Sequence, residues 1–218
     1  MVAETRLSGN QIQEEIRHTN AAGGTHAMSY FPLDPTNAVI LFADLQAGIL
    51  ELSGTHDPAR LRRAVGALAR LARLYEIPAI VTTAPAEGGE ARVTPEIAAS
   101  LGALPQHVRT TTDAFTHQAT RDAIARTGKK TLLIAGVATE IIVQHSALSG
   151  VTQGYHVQVV VDACGGISPR TEDAALRRLV QAGVVTTSIA SIAGQLAGDF
   201  SRPKGAEAIR VLYEMASG

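Results

Sequence analysis

The chain carries a single cysteine, Cys164, among 218 residues. An intramolecular disulfide is therefore excluded, and the cysteine usage fits a reducing cytoplasm. Charge of one sign is not in excess: 19 basic residues face 20 acidic ones, for a net charge of −1. That balance gives no general attraction to nucleic acid or to an anionic membrane surface. No apolar run approaches the ~20 residues that cross a bilayer. The N-terminus is polar, with Glu4, Arg6, Asn10 and Gln11, and does not read as a signal peptide. No low-complexity tract or internal repeat is present. No glycine triplet of the dinucleotide-binding kind follows the first strand, and no Cys or His pair has zinc spacing. Gly128-Lys129-Lys130-Thr131 imitates the tail of a phosphate loop, but it lacks that motif's first glycine and precedes a strand. It reads as a turn. His56-Asp57 is the only metal candidate, and a helix entry explains it better. No cofactor or metal is expected.

What is present is a hydrophobic content of 45%, enough for one sizeable α/β domain. Residues 1–28 read as an N-terminal extension, a tail or an oligomer arm, with a short helix carrying Ile12 and Ile16. Residues 29–218 read as the domain. Ala38 to Ala43 is a strand with Asp44 at its C-terminal end. Asp57-Pro58 opens a helix to about Tyr75 with Leu61, Val65, Leu68 and Leu71 on one stripe. Pro78 to Thr83 is a second strand, and Ala84 to Glu96 is a loop with a Gly88-Gly89 bend. Pro105 to Thr110 is a third strand and Thr116 to Thr127 a helix.

The organising stretch is Lys130 to Ser146. Thr131 to Ala135 has the pattern of a strand buried on both faces. Gly136 ends it, Thr139 reads as an N-cap, and a helix follows through Ile142, Val143 and Ala147. The start of such a helix favours negative charge. Tyr155 to Val161, ending at Asp162, is a fifth strand, Pro169 to Ala182 a helix, and Val184 to Thr187 the last strand. Helices over Ser188–Leu196 and Ala206–Met215 close the chain. Alternating strands and helices imply a three-layer α/β/α fold with a six-stranded parallel sheet, ordered 3-2-1-4-5-6. The order reverses between strands 1 and 4, where ligands bind in such sheets. Asp44 and the Gly136–Thr139 turn should face each other there.

From about Tyr30 onward the chain resembles the isochorismatase-like hydrolases, the cysteine hydrolase superfamily. The resemblance rests on Leu41-Phe42-Ala43-Asp44-Leu45-Gln46-Ala47-Gly48, Ile80-Val81-Thr82-Thr83, Ile134-Ala135-Gly136-Val137-Ala138-Thr139-Glu140, and Gly154-Tyr155-His156-Val157 leading to Val161-Asp162-Ala163. It implies an Asp–Lys–Cys site in which the Asp activates the Cys, and a non-proline cis peptide at an oxyanion-binding turn. Asp44 matches the Asp, and Val137-Ala138 the cis position. The Lys position falls on Arg109 and the Cys position on Ile142, so a thioester route is excluded. Cys164 reads as a packed thiol.

The isochorismatases proper also lack the cysteine, and in them the Asp works as an acid. The expected function is hydrolysis of a small carbonyl, amide or vinyl-ether substrate, with Asp44 as general acid or base. Arg109 is either an orienter of substrate or the ion-pair partner of Asp44. Phe42, Gln46, Phe115, Ile142, Thr139 and His145 are the expected pocket. A base role for His145 and a smaller role for His117 are weaker readings. A repurposed lyase or cyclase, or a catalytically dead binding or assembly protein, are the alternatives. The partners implied are a small molecule and other copies of the chain, with Ile209, Leu212 and Met215 as a face a neighbour could cover.

Overall fold

All six residues of the first strand, Ala38–Ala43, are buried. Such a strand needs cover on both faces, and the computed structural model, which describes residues 32–86 and 91–217, supplies it. This strand, β1, is joined by β2 (Ala79–Thr83), β3 (Gln106–Val108), β4 (Thr131–Val137), β5 (His156–Gly165) and β6 (Val185–Thr187). The sheet order is β3-β2-β1-β4-β5-β6 and every pairing is parallel. The expected architecture and strand order are therefore those observed.

Seven helices are described: α1 (Pro58–Tyr75), α2 (Pro95–Leu101), α3 (Gln118–Arg126), α4 (Gln144–Thr152), α5 (Pro169–Gln181), α6 (Ile189–Ala197) and α7 (Pro203–Ser217). Their starts follow from capping chemistry. Asp57 accepts from the Arg60 amide at 3.0 Å, Ser168 from Thr171 at 3.2 Å and Ser188 from Ser191 at 3.1 Å. Proline stands at the first turn of α1 and α5, where its missing N–H costs nothing.

The period-two alternation of the strands splits the core. Ile40, Phe42, Leu133 and Ala135 point to one face with Leu61, Leu68, Ile97, Ile192 and Val211 of α1, α2, α6 and α7. Val39, Leu41, Leu132 and Ile134 point to the other with Ile124, Ala147 and Leu179 of α3, α4 and α5.

Several expectations need correction. Ala84 to Glu96 is not all loop: Thr94-Pro95 starts helix α2, with Pro95 in its first turn. Strand β4 does not stop at Gly136 but runs to Val137. A Cβ at Gly136 would meet the Ala43 carbonyl oxygen at 2.4 Å, so the glycine serves close approach of β1 and β4 rather than termination. Strand β5 continues past Asp162 to Gly165, with a register irregularity opposite Ile134–Gly136. Thr139 is not an N-cap. Residues Thr139–Val143 form a π-helical turn ahead of α4, its N-cap position is Ala138, and the Thr139 hydroxyl donates to Glu172 at 2.7 Å. Leu212 and Met215 pack against the core of their own chain, which leaves Tyr213 as the exposed large hydrophobic side chain of α7. The expected extension over 1–28, with Ile12 and Ile16, and the Gly88-Gly89 bend lie outside the described residues. Among the described residues no helix is long and apolar enough to cross a membrane.

Candidate functional site

Beyond the C-terminal ends of β1, β2 and β4 lies a cavity of about 390 Å³. It sits at the reversal of strand order, as the topology demands. Asp44 is the first residue after β1. Its backbone is in the left-handed region, φ 56°, a conformation that Asp and Asn tolerate better than most residues. The Asp44 amide donates to the Thr82 carbonyl at 3.0 Å, which sets the residue at the tip of the sheet. Arg109 follows β3 and is held by its own amide on the Thr83 carbonyl, also at 3.0 Å.

Sixty-five residues apart in sequence, the two side chains meet. Arg109 Nη2 donates to Asp44 Oδ2, and Arg109 Nη1 donates to the Thr111 carbonyl. Both side chains are almost wholly buried, with 3% of Arg109 and 9% of Asp44 exposed. Asp44 Oδ1 and Arg109 Nε are buried without a partner among the described residues. Burial pushes the Asp44 carboxyl above its ordinary value, and the Arg109 guanidinium holds that rise back. Desolvation outweighs attraction here because the carboxylate loses water on nearly every side.

Val137, Ala138, Ile141 and Ile142 form the wall opposite Asp44. The Val137–Ala138 peptide is cis. The rest of the lining comes from Ile49 and Leu52 after β1, Ala84 and Pro85 after β2, Thr110–Thr112 after Arg109, and Ile167 after β5. Leu52 and Ile167 are exposed, at 63% and 55%, so aliphatic side chains surround the mouth.

The structure thus brings Asp44, Arg109, Val137, Ala138 and Ile142 to one cavity. It does not bring the other candidates. Phe42 points the opposite way along β1, into the α1 face of the core. Gln46 is buried and spends its amide on the backbone of Ala84, donating to its carbonyl at 3.0 Å and accepting from its N–H at 2.8 Å. Phe115 packs on Tyr155, ring centres 5.7 Å apart. Thr139 faces Glu172. His145 is half-buried on α4 and does not line the cavity, and its Nδ1 is without a partner among the described residues. His117 pairs with Thr120 at 2.9 Å at the start of α3. In each case the side chain follows the face its own element presents, which spacing from Asp44 or Ile142 in sequence does not reveal.

Residues that the sequence reading missed are Ile49, Leu52, Ile141 and Ile167, all in loops or turns whose aliphatic content looked unremarkable. Glu140 was missed too. Its Oε1 accepts from the Ile167 amide at 2.9 Å and the Thr171 hydroxyl at 2.6 Å, tying the segment after β5 to the π-helical turn. Cys164 lies near the C-terminal end of β5, opposite Gly136 of β4, wholly buried, its thiol pushed up to about 12 chiefly by desolvation. His56 and Asp57 belong to the entry of α1. Among the described residues no three His, Cys, Asp or Glu side chains converge as a metal site.

Comparison with known proteins follows the same lines. A family model, the isochorismatase domain, matches residues 38–191. "Probable hydrolase YcaC" of Escherichia coli (strain K12) is 36% identical over 172 residues, 78% of this chain and 83% of that one. The structure of YcaC from Pseudomonas aeruginosa with hexane-2,5-diol and covalent acrylamide superposes with a TM-score of 0.80 at 32% identity, covering 87% of this chain and 96% of that one. The E. coli YcaC structure, an octameric hydrolase of unknown specificity, gives a TM-score of 0.77 at 33% identity, covering 86% and 90%.

Proposed function

The chain belongs to the isochorismatase family, and on that premise we propose that it is a hydrolase of small carbonyl, amide or vinyl-ether compounds that forms no covalent enzyme intermediate. The observation that carries this reading is the buried Asp44–Arg109 pair in a cavity whose nucleophile position is filled by Ile142. An aliphatic side chain attacks nothing, so water must be the nucleophile.

With a carbonyl substrate, Asp44 takes a proton from the attacking water and returns it to the leaving group. The leading amides of the turn after Ala138 have no carbonyl behind them in the helix. They are the donors for the developing oxyanion. With a vinyl ether, Asp44 in its acid form protonates the substrate carbon, and water adds to the cation that results. The raised pKa of Asp44 serves both roles, since it brings the carboxyl toward the working range. Arg109 works through Asp44: its two outer nitrogens are committed to Asp44 and Thr111. Assembly into a homo-oligomer belongs to the same reading, supported by the octameric E. coli relative; light scattering on the purified chain tests it.

The experiment is a panel of amides, esters and vinyl ethers followed by mass spectrometry, with wild type and Asp44→Asn side by side. Asn keeps the size and tolerates the left-handed backbone. Hydrolysis products from wild type and none from a folded Asp44→Asn are expected. Turnover that survives the substitution defeats the mechanism. Non-hydrolytic products point to the lyase or cyclase alternative, and ligand binding with no product to a binding protein.

A further inference from the structure

The cavity has two charged side chains among the described residues, and they are bonded to each other. Arg109 gives Nη2 to Asp44 and Nη1 to Thr111. With both outer nitrogens engaged and 3% of the side chain exposed, the guanidinium presents no open two-pronged face to a carboxylate, the use its geometry would otherwise favour. Ile49, Leu52, Ile141, Ile142 and Ile167 make the remaining surface mainly aliphatic. Asp44 Oδ1 and Arg109 Nε have no partner among the described residues, and both are sealed from solvent.

We infer that this cavity takes an uncharged, mainly aliphatic ligand and rejects carboxylates; calling that ligand the substrate rests on the hydrolase reading above. A carboxamide of the same size carries no charge. A carboxylate carries acceptors only. It would bring a second negative charge against Asp44, or would have to break a buried ion pair to reach Arg109. The volume of about 390 Å³ is at the small end for ligand sites, which suits a short branched chain rather than a polycyclic one. A carboxylate-bearing substrate, which an arginine acting as orienter would favour, is thereby disfavoured by the structure's own charge pairing.

The test is calorimetric titration with one carbon skeleton in two forms, 2-methylpentanamide and 2-methylpentanoate, at neutral pH. The amide is expected to bind, and the acid to bind roughly 100-fold more weakly, as like-charge juxtaposition requires. Ile142→Phe, which narrows the cavity, is expected to weaken amide binding about tenfold. Asp44→Asn releases Arg109 from compensation and is expected to raise carboxylate affinity at least about tenfold. Equal or tighter binding of the acid to wild type overturns the inference. So does failure of both compounds to bind at millimolar concentration, or amide binding indifferent to Ile142→Phe. If Asp44→Asn does not fold, the wild-type pair of titrations still decides. Discriminated binding without hydrolysis of any panel member sinks the hydrolase reading and leaves this inference standing. Hydrolysis confined to carboxylate-bearing substrates does the reverse.

Discussion

Gln46 grips the backbone of Ala84 in both directions, donating to its carbonyl at 3.0 Å and accepting from its N–H at 2.8 Å. A side-chain amide here does what a neighbouring strand would do, and it fixes the chain as it leaves β2 to form one edge of the cavity. Gln46→Ala should leave both Ala84 groups without a partner at a part-buried position and cost roughly 2–4 kcal/mol. Chemical denaturation measures this. A cost below about 0.5 kcal/mol, the scale of an ordinary surface change, would mean that solvent replaces the grip.

Glu140 holds Ile167 in the cavity rim through the Ile167 amide, with Thr171 as a second donor. Glu140→Ala should loosen the rim without touching Asp44 or Arg109. Affinity for an aliphatic ligand should fall about tenfold, with the pH dependence of the site unchanged, if the lost contact is worth the ~1.4 kcal/mol of one decade. Titration calorimetry on the two proteins checks both halves of that statement.

The Asp44 carboxyl is raised by burial and restrained by Arg109. Arg109→Met removes only the restraint, so the folded-state value should climb further. The stability term follows in sign. A carboxyl whose folded value is raised contributes stability below its unfolded value, and that contribution is lost as pH rises through the folded value. Any rate limb set by Asp44 should move to higher pH in the variant. Carbon-13 titration of the carboxyl reads the shift without a substrate, and a shift downward contradicts the arrangement.

The resemblance to the superfamily puts its nucleophile position at Ile142, and the P. aeruginosa relative was captured with covalent acrylamide. In this chain the lone thiol, Cys164, is wholly buried and pushed up to about 12, so native protein should resist acrylamide and react only when unfolded. Ile142→Cys should restore a cavity thiol beside Asp44 and gain one adduct per chain under native conditions, by intact mass. Adding Asp44→Asn should slow that reaction. Native labelling of the wild type, or an inert Ile142→Cys, would show that the cavity is not arranged around this position.

Much of the molecule was legible without coordinates. The unbroken apolar runs at 38–43 and 131–135 can only be strands covered on both faces, and the amphipathic stripes between strands can only cover them. Parallel pairing, crossover handedness and the place where strand order reverses follow from that alternation, and with them the location of Asp44 at a sheet tip. Asp57-Pro58 and Ser188 announced their helices because capping is local chemistry. Helix α2 was overlooked although Thr94-Pro95 carries the same signal, because a seven-residue helix has too few apolar positions to show a period.

What a side chain faces was decided only by the tertiary structure. Phe42 and Asp44 are two residues apart, yet one enters the core and the other the cavity, because the chain turns into a left-handed conformation at Asp44. Arg109 meets Asp44 because the register of β3 on β2 and β2 on β1 places both at the same end of the sheet. Residue types and order set the layers and the strand tips through hydrophobic period, which is local. The pairing of charges, the aliphatic rim from three separate segments and the loss of a free guanidinium face depend on long-range register, which no stretch of the chain holds by itself.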